Sequence, residues 1–305
     1  MERSDDRVVV LPPAKLNLYL DVLRRRDDGF HELETVMHAV DLSDRLTVRR
    51  TRGEAIRLTT RGRPCPAGPE NLIVRAAEAY FSSRRDRFGV EAELEKNVPL
   101  GAGLGGGSAD AAGMLAALDH LSDAPLGEPA LAGIAASLGS DVPFFVTCGR
   151  SPTAVARGRG DRIEPFAPGT SPRRTFVVFF PGTHVETAAV YRGLNLDLTR
   201  PKNDLKTAVD LMAFGGSDGV PEFHNSLAEP FRALFPELAA LQDRASEVSA
   251  RTFWLTGSGS AMFAVVADRS DGAQVRERLD SLSIGESFLC ASLPERPDGA
   301  EGGQP

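Results

Sequence analysis

The segment Pro99-Leu-Gly-Ala-Gly-Leu-Gly-Gly-Gly-Ser-Ala109 contains five glycines and joins two segments of different periodicity. Before it, Val90–Leu94 alternates apolar and polar residues, which predicts a strand. After it, Ser108–Leu121 is rich in alanine and carries leucines at helical spacing, which predicts a helix. Glycine permits positive φ and lets the backbone approach a ligand closely. Because the first amides of a helix and its dipole attract anions, the segment predicts a phosphate-binding turn.

Several kinds of glycine-rich segment are compatible with such a turn. A P-loop would end in Gly-Lys-[Ser/Thr], but the sequence reads Gly106-Gly107-Ser108 and has no lysine there. The spacing Gly101-x-Gly103-x-x-Gly106 matches a dinucleotide-binding fingerprint, yet the polar segment 122–128 follows where that fold needs an apolar strand. A flexible linker is disfavoured because strand and helix signals flank the glycines. The glycine loop of a small-molecule kinase remains the favoured interpretation.

The segment Ala14–Leu23 alternates cleanly and predicts a half-buried strand. Its apolar face carries Leu16, Leu18, Leu20 and Val22. Lys15 and Asn17 lie on the opposite face, roughly 7 Å apart at strand spacing. Spacing alone favours a solvated outer face over contact with a phosphate or a substrate hydroxyl.

Asp141 lies in the segment Gly139-Ser-Asp-Val-Pro143. An aspartate shortly before a proline is typical of a turn or a helix cap. The alternative is a carboxylate that accepts the proton of an attacking hydroxyl, as in other kinases. The residues alone leave both interpretations open.

The remaining pattern predicts an irregular mixture of strands and helices, which favours an α+β fold over a regularly alternating parallel sheet. Strands are expected over 8–11, 45–50, 56–60, 143–148, 175–180, 251–255 and 261–267, and helices over 71–81, 129–138, 186–192, 227–250 and 275–282. Three prolines and a glycine in 165–172 predict a boundary between domains 1–168 and 169–293. We expect a loop over 215–221 and a disordered tail over 294–305.

Composition limits the classes of function. The 305 residues carry a net charge of −7, so the overall field attracts neither nucleic acid nor an anionic membrane, and we expect neither as a partner. No apolar run is long enough to span a bilayer, and Met1–Arg7 has no signal-peptide core. Three cysteines without a CxxC pair indicate reduced thiols and a cytoplasmic location. The composition leaves a monomer or a homodimer equally open.

Four motifs occur in an order that resembles the GHMP kinase superfamily, which includes galactokinase, homoserine kinase and mevalonate kinase. They are Pro13-Ala-Lys-Leu-Asn-Leu18, the glycine turn continued to Asp110, Leu138-Gly-Ser-Asp-Val-Pro-Phe-Phe145, and Thr256-Gly-Ser-Gly-Ser260. The resemblance extends from about Val10 to Leu289. Three segments narrow the resemblance to members that act on a cytidine diphosphate-linked methylerythritol: Pro13-Ala-Lys-Leu-Asn17, Asp28-Gly-Phe-His-Glu-Leu33 and Leu138-Gly-Ser-Asp-Val-Pro-Phe-Phe145.

Two alternatives stay open beside that substrate. One is another GHMP kinase that acts on homoserine, mevalonate or a sugar. The other is a non-catalytic ligand sensor on the same fold, which would be expected to have lost Lys15 or Asp141; both are present.

The resemblance implies an N-terminal ribosomal-S5-like domain, a C-terminal ferredoxin-like domain and an active site in the cleft between them. It implies ATP and Mg²⁺ as cofactors, and phosphorylation of the 2-hydroxyl group of the substrate. Asp141 would be the general base and Lys15 its catalytic partner. Ser108, at the start of the helix, could approach the magnesium ion. A dedicated metal site is not expected, and a metal cluster of His31, Glu32, Glu34 and His38 is disfavoured.

The remaining expected roles also come from the resemblance. The nucleotide would be bound by Pro99, Leu100, Gly101, Ala102, Gly103, Leu104, Gly105, Gly106, Gly107, Ser108 and Ala109. The substrate would contact Asn17, Phe30, His31, Tyr191, Thr256, Gly257, Ser258 and Gly259. The chain departs from the family pattern at Phe30, which replaces a common tyrosine, and at Ser226, which replaces an aspartate.

Overall fold

A computed structural model describes residues 2–4, 6–84, 86–167, 169–171, 173–195, 205–206, 209 and 223–295. The expected loop over 215–221 and residues 296–305 of the expected tail lie outside these ranges. Within them, no helix combines the length and the apolar character needed to cross a membrane.

The described residues contain strands and helices in irregular order. The strands are β1 (Glu2–Ser4), β2 (Arg7–Val10), β3 (Pro13–Arg25), β4 (His31–Ser43), β5 (Arg45–Thr51), β6 (Ile56–Gly62), β7 (Gly89–Lys96), β8 (Thr153–Gly158), β9 (Arg162–Pro165), β10 (Thr175–Phe180), β11 (His224–Asn225), β12 (Trp254–Leu255), β13 (Met262–Val266) and β14 (Glu286–Ala291). The helices are α1 (Leu72–Ser82), α2 (Gly106–Leu121), α3 (Glu128–Leu138), α4 (Val142–Thr147), α5 (Thr187–Arg192), α6 (Ala228–Leu234), α7 (Pro236–Ser249) and α8 (Arg269–Asp280).

The first part of the chain, together with β11 from the second part, forms two five-stranded sheets, ordered β1-β2-β5-β7-β6 and β11-β3-β4-β8-β9. Helix α2 lies in the main core and contacts α1, α4 and strands of both sheets. Its small side chains make this position possible, because a Cβ atom on Gly113 would already lie 3.0 Å from the Pro12 ring. The alanine-rich segment therefore forms a buried helix that begins directly at the glycine turn.

The second part forms an antiparallel sheet ordered β12-β13-β10-β14. Helices α5, α6 and α7 join β10 to β12, and α8 joins β13 to β14. This is the split βαββαβ arrangement of a ferredoxin-like domain. The expected α+β class and its ferredoxin-like half are confirmed.

Strand β3 departs from the half-buried prediction, since every residue from Pro13 to Val22 is buried. The polar face that carries Lys15 and Asn17 is not solvated; it is covered by the glycine turn and by the loop between β12 and β13. Alternation with a period of two shows that the two faces of the strand differ in polarity, but it does not show what covers the polar face.

The strand expected over 143–148 is wrong, because this segment forms helix α4. Its aromatic and β-branched residues favour a strand intrinsically. Pro143 at the first turn suits a helix start, and Phe144 and Phe145 pack as an edge-to-face pair beside α2 and α3. Tertiary packing therefore outweighs the local propensity.

Six of the described strands had no clear signal in the sequence: β1, β4, β8, β9, β11 and β14. The helix expected over 227–250 is divided at Pro236, which lacks an N–H group and begins α7. The strand expected over 251–255 is limited to Trp254–Leu255.

Strand β11 connects the two parts of the chain. It lies beyond the expected boundary in the sequence, but it pairs in parallel with β3 of the first part. The boundary between residues 168 and 169 stays a prediction.

Candidate active site

Lys15 and Asn17 lie close together on β3, which runs between β11 and β4 in the second sheet. Lys15 Nζ donates a hydrogen bond to Asn17 Oδ1 at 2.5 Å, and Asn17 Nδ2 donates to Thr35 Oγ1 at 2.8 Å. Thr35 in turn donates to the carbonyl oxygen of Tyr19 at 2.5 Å. This chain of hydrogen bonds fixes the direction of the lysine side chain.

Asp141 occupies the N-cap position of α4, but its side chain makes no cap hydrogen bond. Its Oδ2 atom lies 3.6 Å from Lys15 Nζ, and 31% of the side chain is exposed, against 5% for Lys15. A buried ammonium group thus faces a carboxylate that solvent or a ligand can reach.

The glycine turn contacts the same lysine. Gly101, Gly103 and Gly105 have positive φ angles of 61°, 78° and 71°. Gly105 precedes α2 without a side-chain cap, and the Lys15 amide donates to the Leu104 carbonyl at 2.9 Å. A Cβ atom on Gly105 would lie 3.0 Å from Lys15 Cγ. Glycine is therefore required where the turn passes Lys15.

The segment Thr256–Ser260 closes the site from the second part of the chain. The Asn17 amide donates to Thr256 Oγ1 at 3.0 Å, and the Ala261 amide donates to the Ala102 carbonyl at 3.0 Å. A Cβ atom on Gly103 would lie 2.4 Å from the Thr256 carbonyl oxygen. The two glycine-containing turns are thus packed backbone against backbone.

A cavity of about 890 Å³ lies at this junction. Its wall includes these residues expected to form the site: Lys15, Asn17, Phe30, His31, Gly103, Gly105, Asp141, Tyr191, Gly257 and Ser258. Thr256, Gly259 and the other residues of the expected nucleotide-binding turn are not part of that wall. The structure therefore brings Lys15 and Asp141 together with most of the expected substrate residues in one space.

Comparison with known proteins supports one family. Residues 71–149 match the model of the GHMP kinases N terminal domain, and residues 197–283 match that of GHMP kinases C terminal. A protein of Pelotomaculum thermopropionicum named 4-diphosphocytidyl-2-C-methyl-D-erythritol kinase is 38% identical, over 89% of this chain and 93% of its own. The chain belongs to the GHMP kinase family. A kinase of the same name from Moorella thermoacetica is 41% identical, over 89% of this chain and 95% of its own.

Solved structures agree with this membership. The crystal structure of a 4-(cytidine 5'-diphospho)-2C-methyl-D-erythritol kinase matches with a TM-score of 0.80 and 37% identity, covering 94% of this chain and all of that one. Homoserine kinase from Cytophaga hutchinsonii matches with a TM-score of 0.69 at 19% identity, over 96% of each chain. At that identity the second match supports the GHMP kinase fold alone.

One part of the cavity wall in this GHMP kinase is aromatic. The rings of His31 and Tyr191 lie 5.1 Å apart between centroids. Burial, with a smaller effect of the Arg25 charge, lowers the pKa of His31, so its neutral form is favoured. Burial and the negative charge of Asp141 raise the pKa of Tyr191. Both rings are therefore uncharged near neutral pH.

Ser226, which replaces the aspartate of the family pattern, forms hydrogen bonds to residues of β3. Its hydroxyl donates to Asp21 Oδ1 at 2.7 Å and accepts from the Val22 amide at 3.3 Å. The neighbouring Asn225 donates from Nδ2 to the carbonyl oxygens of Leu255 and Gly257, at 2.9 and 2.8 Å. These two side chains support β3 and the 256–260 loop. The sequence marks Ser226 only as a departure from the family pattern and does not show what either side chain binds.

A second buried lysine was also missed. Lys96 Nζ donates to Asp44 Oδ2 and, at 2.7 Å, to Asp110 Oδ2. Asp44 Oδ1 accepts the amides of Asn97 and Val98 at 2.6 and 2.8 Å. A Cβ atom on Gly106 would lie 2.9 Å from Lys96 Nζ. This charged cluster therefore lies directly beneath the start of α2.

The charges of this cluster are strongly coupled. Burial raises the pKa of Asp110 to about 7, since it outweighs the opposing Lys96 charge, and Asp44 adds to the increase. Burial would lower the pKa of Lys96, but the two carboxylates more than offset this effect and raise it. Asp110 Oδ1 is buried and has no hydrogen-bond partner among the residues that the structure describes.

The four residues considered for a metal cluster have other partners. Glu32 binds Arg26 and Arg162, and Glu34 binds Arg157. His38 lies between the hydroxyls of Thr153 and Ser292, at 2.8 Å from each. Within the described residues, no three His, Cys, Asp or Glu side chains form a group that could hold a metal ion.

Proposed function

We propose that this GHMP kinase transfers the γ-phosphate of ATP to the 2-hydroxyl group of 4-diphosphocytidyl-2-C-methyl-D-erythritol, a step of non-mevalonate isoprenoid biosynthesis. The observation that carries the proposal is the Lys15–Asp141 pair in the wall of a cavity that also contains the glycine turn. The names of relatives at 38% and 41% identity, each aligned over 89% of this chain, supply the substrate.

The pair has the chemistry that the reaction needs. An alcohol is a weak nucleophile, so positioning and charge stabilisation must provide most of the rate enhancement. Asp141 accepts the proton of the attacking hydroxyl, because its carboxylate is accessible from the cavity and forms no cap hydrogen bond. Lys15, directed by Asn17, stabilises the negative charge that develops beside it.

The glycine turn supplies the phosphate site of this proposal. Its positive φ angles and the uncapped start of α2 leave backbone amides for the phosphate oxygens. Residues 99–109 are proposed to hold ATP. Gly103 and Gly105, which also line the cavity, lie where the nucleotide and the substrate meet.

Magnesium fits the residues that are present. Mg²⁺ in kinases is usually held by phosphate oxygens with one or two protein oxygens, so a dedicated cage is unnecessary. Ser108, in the first turn of α2, would contribute such an oxygen beside the nucleotide. When bound, the ion neutralises charge on the phosphates.

Recognition of the cytidine end is proposed for the aromatic part of the cavity. Tyr191 and His31 offer two neutral rings at 5.1 Å, and Phe30 offers a third ring that is half exposed. Stacking of a base on such rings contributes roughly 1–3 kcal/mol per base. Thr256 to Gly259 contribute from the second part of the chain by holding Asn17 and the glycine turn.

The test is an assay with ATP, Mg²⁺ and the cytidyl substrate, in which ADP release is followed by a coupled reaction. Homoserine, mevalonate and galactose are assayed in parallel at the same concentrations. We expect ADP release with the cytidyl substrate and at most a trace with the others. Turnover of homoserine alone would replace the proposed substrate, and binding without any turnover would favour the sensor alternative.

We also propose a cytoplasmic location. The structure describes all three cysteines, and none of them forms a disulfide. Thiols remain reduced in the cytosol.

A further inference from the structure

Arg159 lies in the turn between β8 and β9 and is held by one neighbour. Its Nε and Nη2 atoms donate to Asp161 Oδ2 at 3.0 and 2.8 Å, and its backbone amide donates to Asp161 Oδ1 at 3.2 Å. Burial opposes ionisation of Asp161, but the Arg159 interactions prevail and hold the pKa of Asp161 below its ordinary value. The carboxylate therefore stays ionised and fixes the direction of the guanidinium group.

The guanidinium group of Arg159 lies over the ring of Phe30. Its Cζ atom is 5.1 Å from the centre of the Phe30 ring, within the range of a cation–π contact. Phe30 is 51% exposed, and it is the one aromatic residue among the large exposed hydrophobic residues of the described chain. A ligand that covers the exposed part of a phenyl ring removes apolar surface from water, which is favourable.

The backbone beneath the ring is also well defined. The Phe30 amide donates to Asp28 Oδ1 at 3.1 Å, and its carbonyl accepts the Arg26 amide at 2.8 Å. Gly29 has a φ of 86°, which allows the tight turn. With the backbone fixed, the direction of the ring depends on what lies against its face.

The pair belongs to the cavity of the active site. Phe30, Arg159 and Gly160 line the same space as Lys15 and Asp141. Nothing in the local sequence marks Arg159, because it lies in a turn rich in arginine and glycine. Only the fold brings it to Phe30, which is distant from it in the chain.

We propose that Arg159 is a positioning residue for the cytidyl substrate: it holds one face of the Phe30 ring, so that the other face stacks on the base. This inference depends on the proposed function. The cation covers one face of the ring and leaves a planar surface for a planar, uncharged ligand. A cytosine base has that shape, whereas homoserine and mevalonate do not.

The test compares Arg159→Ala with Arg162→Ala, a matched control on the same hairpin. Arg162 is 67% exposed, binds Glu32 and does not line the cavity. We expect Arg159→Ala to raise KM for the cytidyl substrate about five- to tenfold. The values of kcat and of KM for ATP should stay within about twofold, and Arg162→Ala should resemble the wild type. Arg159→Lys keeps the charge but loses the planar group that Asp161 holds, so it should recover only part of the loss.

A double-mutant cycle with Phe30→Ala separates positioning from direct contact. If Arg159 acts through the ring, its removal should have almost no further effect once Phe30 is alanine. Additive losses in KM would overturn the inference, and so would an unchanged KM in Arg159→Ala.

Calorimetry measures the affinity of cytidine 5′-diphosphate for the four proteins of this cycle: the wild type, Arg159→Ala, Phe30→Ala and the double variant. These affinities separate the inference about Arg159 from the proposed function. Absence of turnover by the wild type would overturn the proposed function, while the ring pair would still be judged on binding. Equal affinities of the wild type and Arg159→Ala would overturn the inference even with normal turnover. A five- to tenfold weaker Kd for Arg159→Ala, lost in the Phe30→Ala background, would support it.

Discussion

Lys15 and Lys96 are both buried lysines with aspartate partners, and they lie on either side of the glycine turn. Lys96 touches two carboxylates that are themselves enclosed, with side-chain exposures of 0% for Asp44 and 4% for Asp110. Lys15 faces one carboxylate at 3.6 Å, and that carboxylate is 31% exposed at the wall of a cavity.

The difference shows that burial of a lysine does not by itself indicate chemistry. An ammonium group whose partners are enclosed can only hold the structure, because no ligand reaches it. An ammonium group beside an accessible carboxylate can act on a bound molecule. Four substitutions test this division.

The largest effect is expected for Asp141→Asn. Loss of the proton acceptor should lower kcat about 10³-fold, within the range for general base catalysis. The free energy of unfolding should change by no more than about 1 kcal/mol, because the pair is partly exposed. Steady-state kinetics and urea unfolding measure both quantities. A variant with near-normal kcat would remove Asp141 from the reaction.

Asp44→Ala should instead mainly lower the free energy of unfolding. It leaves Lys96 with a single carboxylate and leaves the amides of Asn97 and Val98 without their acceptor. Breaking one side of a buried charged group costs roughly 3–5 kcal/mol of stability, which urea unfolding would measure.

Asp123→Ala is the matched control for Asp44, since Asp123 is also paired with a cation, Arg50, but its side chain is 80% exposed. Its unfolding midpoint should remain close to that of the wild type. Equal stability of the Asp44 and Asp123 variants would contradict an enclosed structural role for the Lys96 cluster.

The stability that Asp110 contributes should depend on pH. Its pKa is about 7 in the folded chain against an ordinary value of 3.8, so the folded state binds a proton that the unfolded state releases. The contribution is complete below pH 3.8 and is lost as the pH rises through 7. Because Lys96 has a raised pKa, it does not titrate in this window.

Urea unfolding of the wild type and Asp110→Asn at pH 5, 6 and 7 isolates this group from others. The unfolding free energy of the wild type minus that of Asp110→Asn should fall by roughly 2 kcal/mol between pH 5 and pH 7. His38 should show the opposite dependence on pH. Burial lowers its pKa to about 3, so its contribution to stability is lost as the pH falls. A difference that does not change with pH would show that Asp110 remains ionised.

The smallest effect is expected for Thr256→Ala. Its hydroxyl accepts the Asn17 amide at 3.0 Å, and the residue is fully buried. Loss of this hydrogen bond should cost about 1 kcal/mol of stability and lower kcat a few-fold through Asn17 and Lys15. Thr256→Ser keeps the hydroxyl and should restore both values. An equal loss in both variants would attribute the effect to the missing methyl group.

Much of the fold could be predicted from the chain because its signals are local. The strand predicted over 90–94 lies within β7, the glycine turn follows, and the helix predicted over 108–121 lies within α2. The failures have physical causes. The segment 143–148 has strand propensity, but packing makes it helix α4, and β3 has a polar face that the second part of the chain covers.

The candidate site divides in the same way. Lys15, Asn17 and Asp141 carry chemistry that a motif can identify. Asp44, Lys96, Asn225 and Arg159 have no local signal, since each acts on residues that only the fold brings near.

By itself, the sequence determined the glycine turn, the helix that follows it and the types of side chain available for phosphoryl transfer. These depend on backbone freedom and periodicity, which short segments encode. The tertiary structure alone decided which lysine faces an accessible carboxylate, which one is enclosed, and which arginine meets the exposed ring. Those properties depend on burial and distance between segments far apart in the chain, which no local pattern specifies.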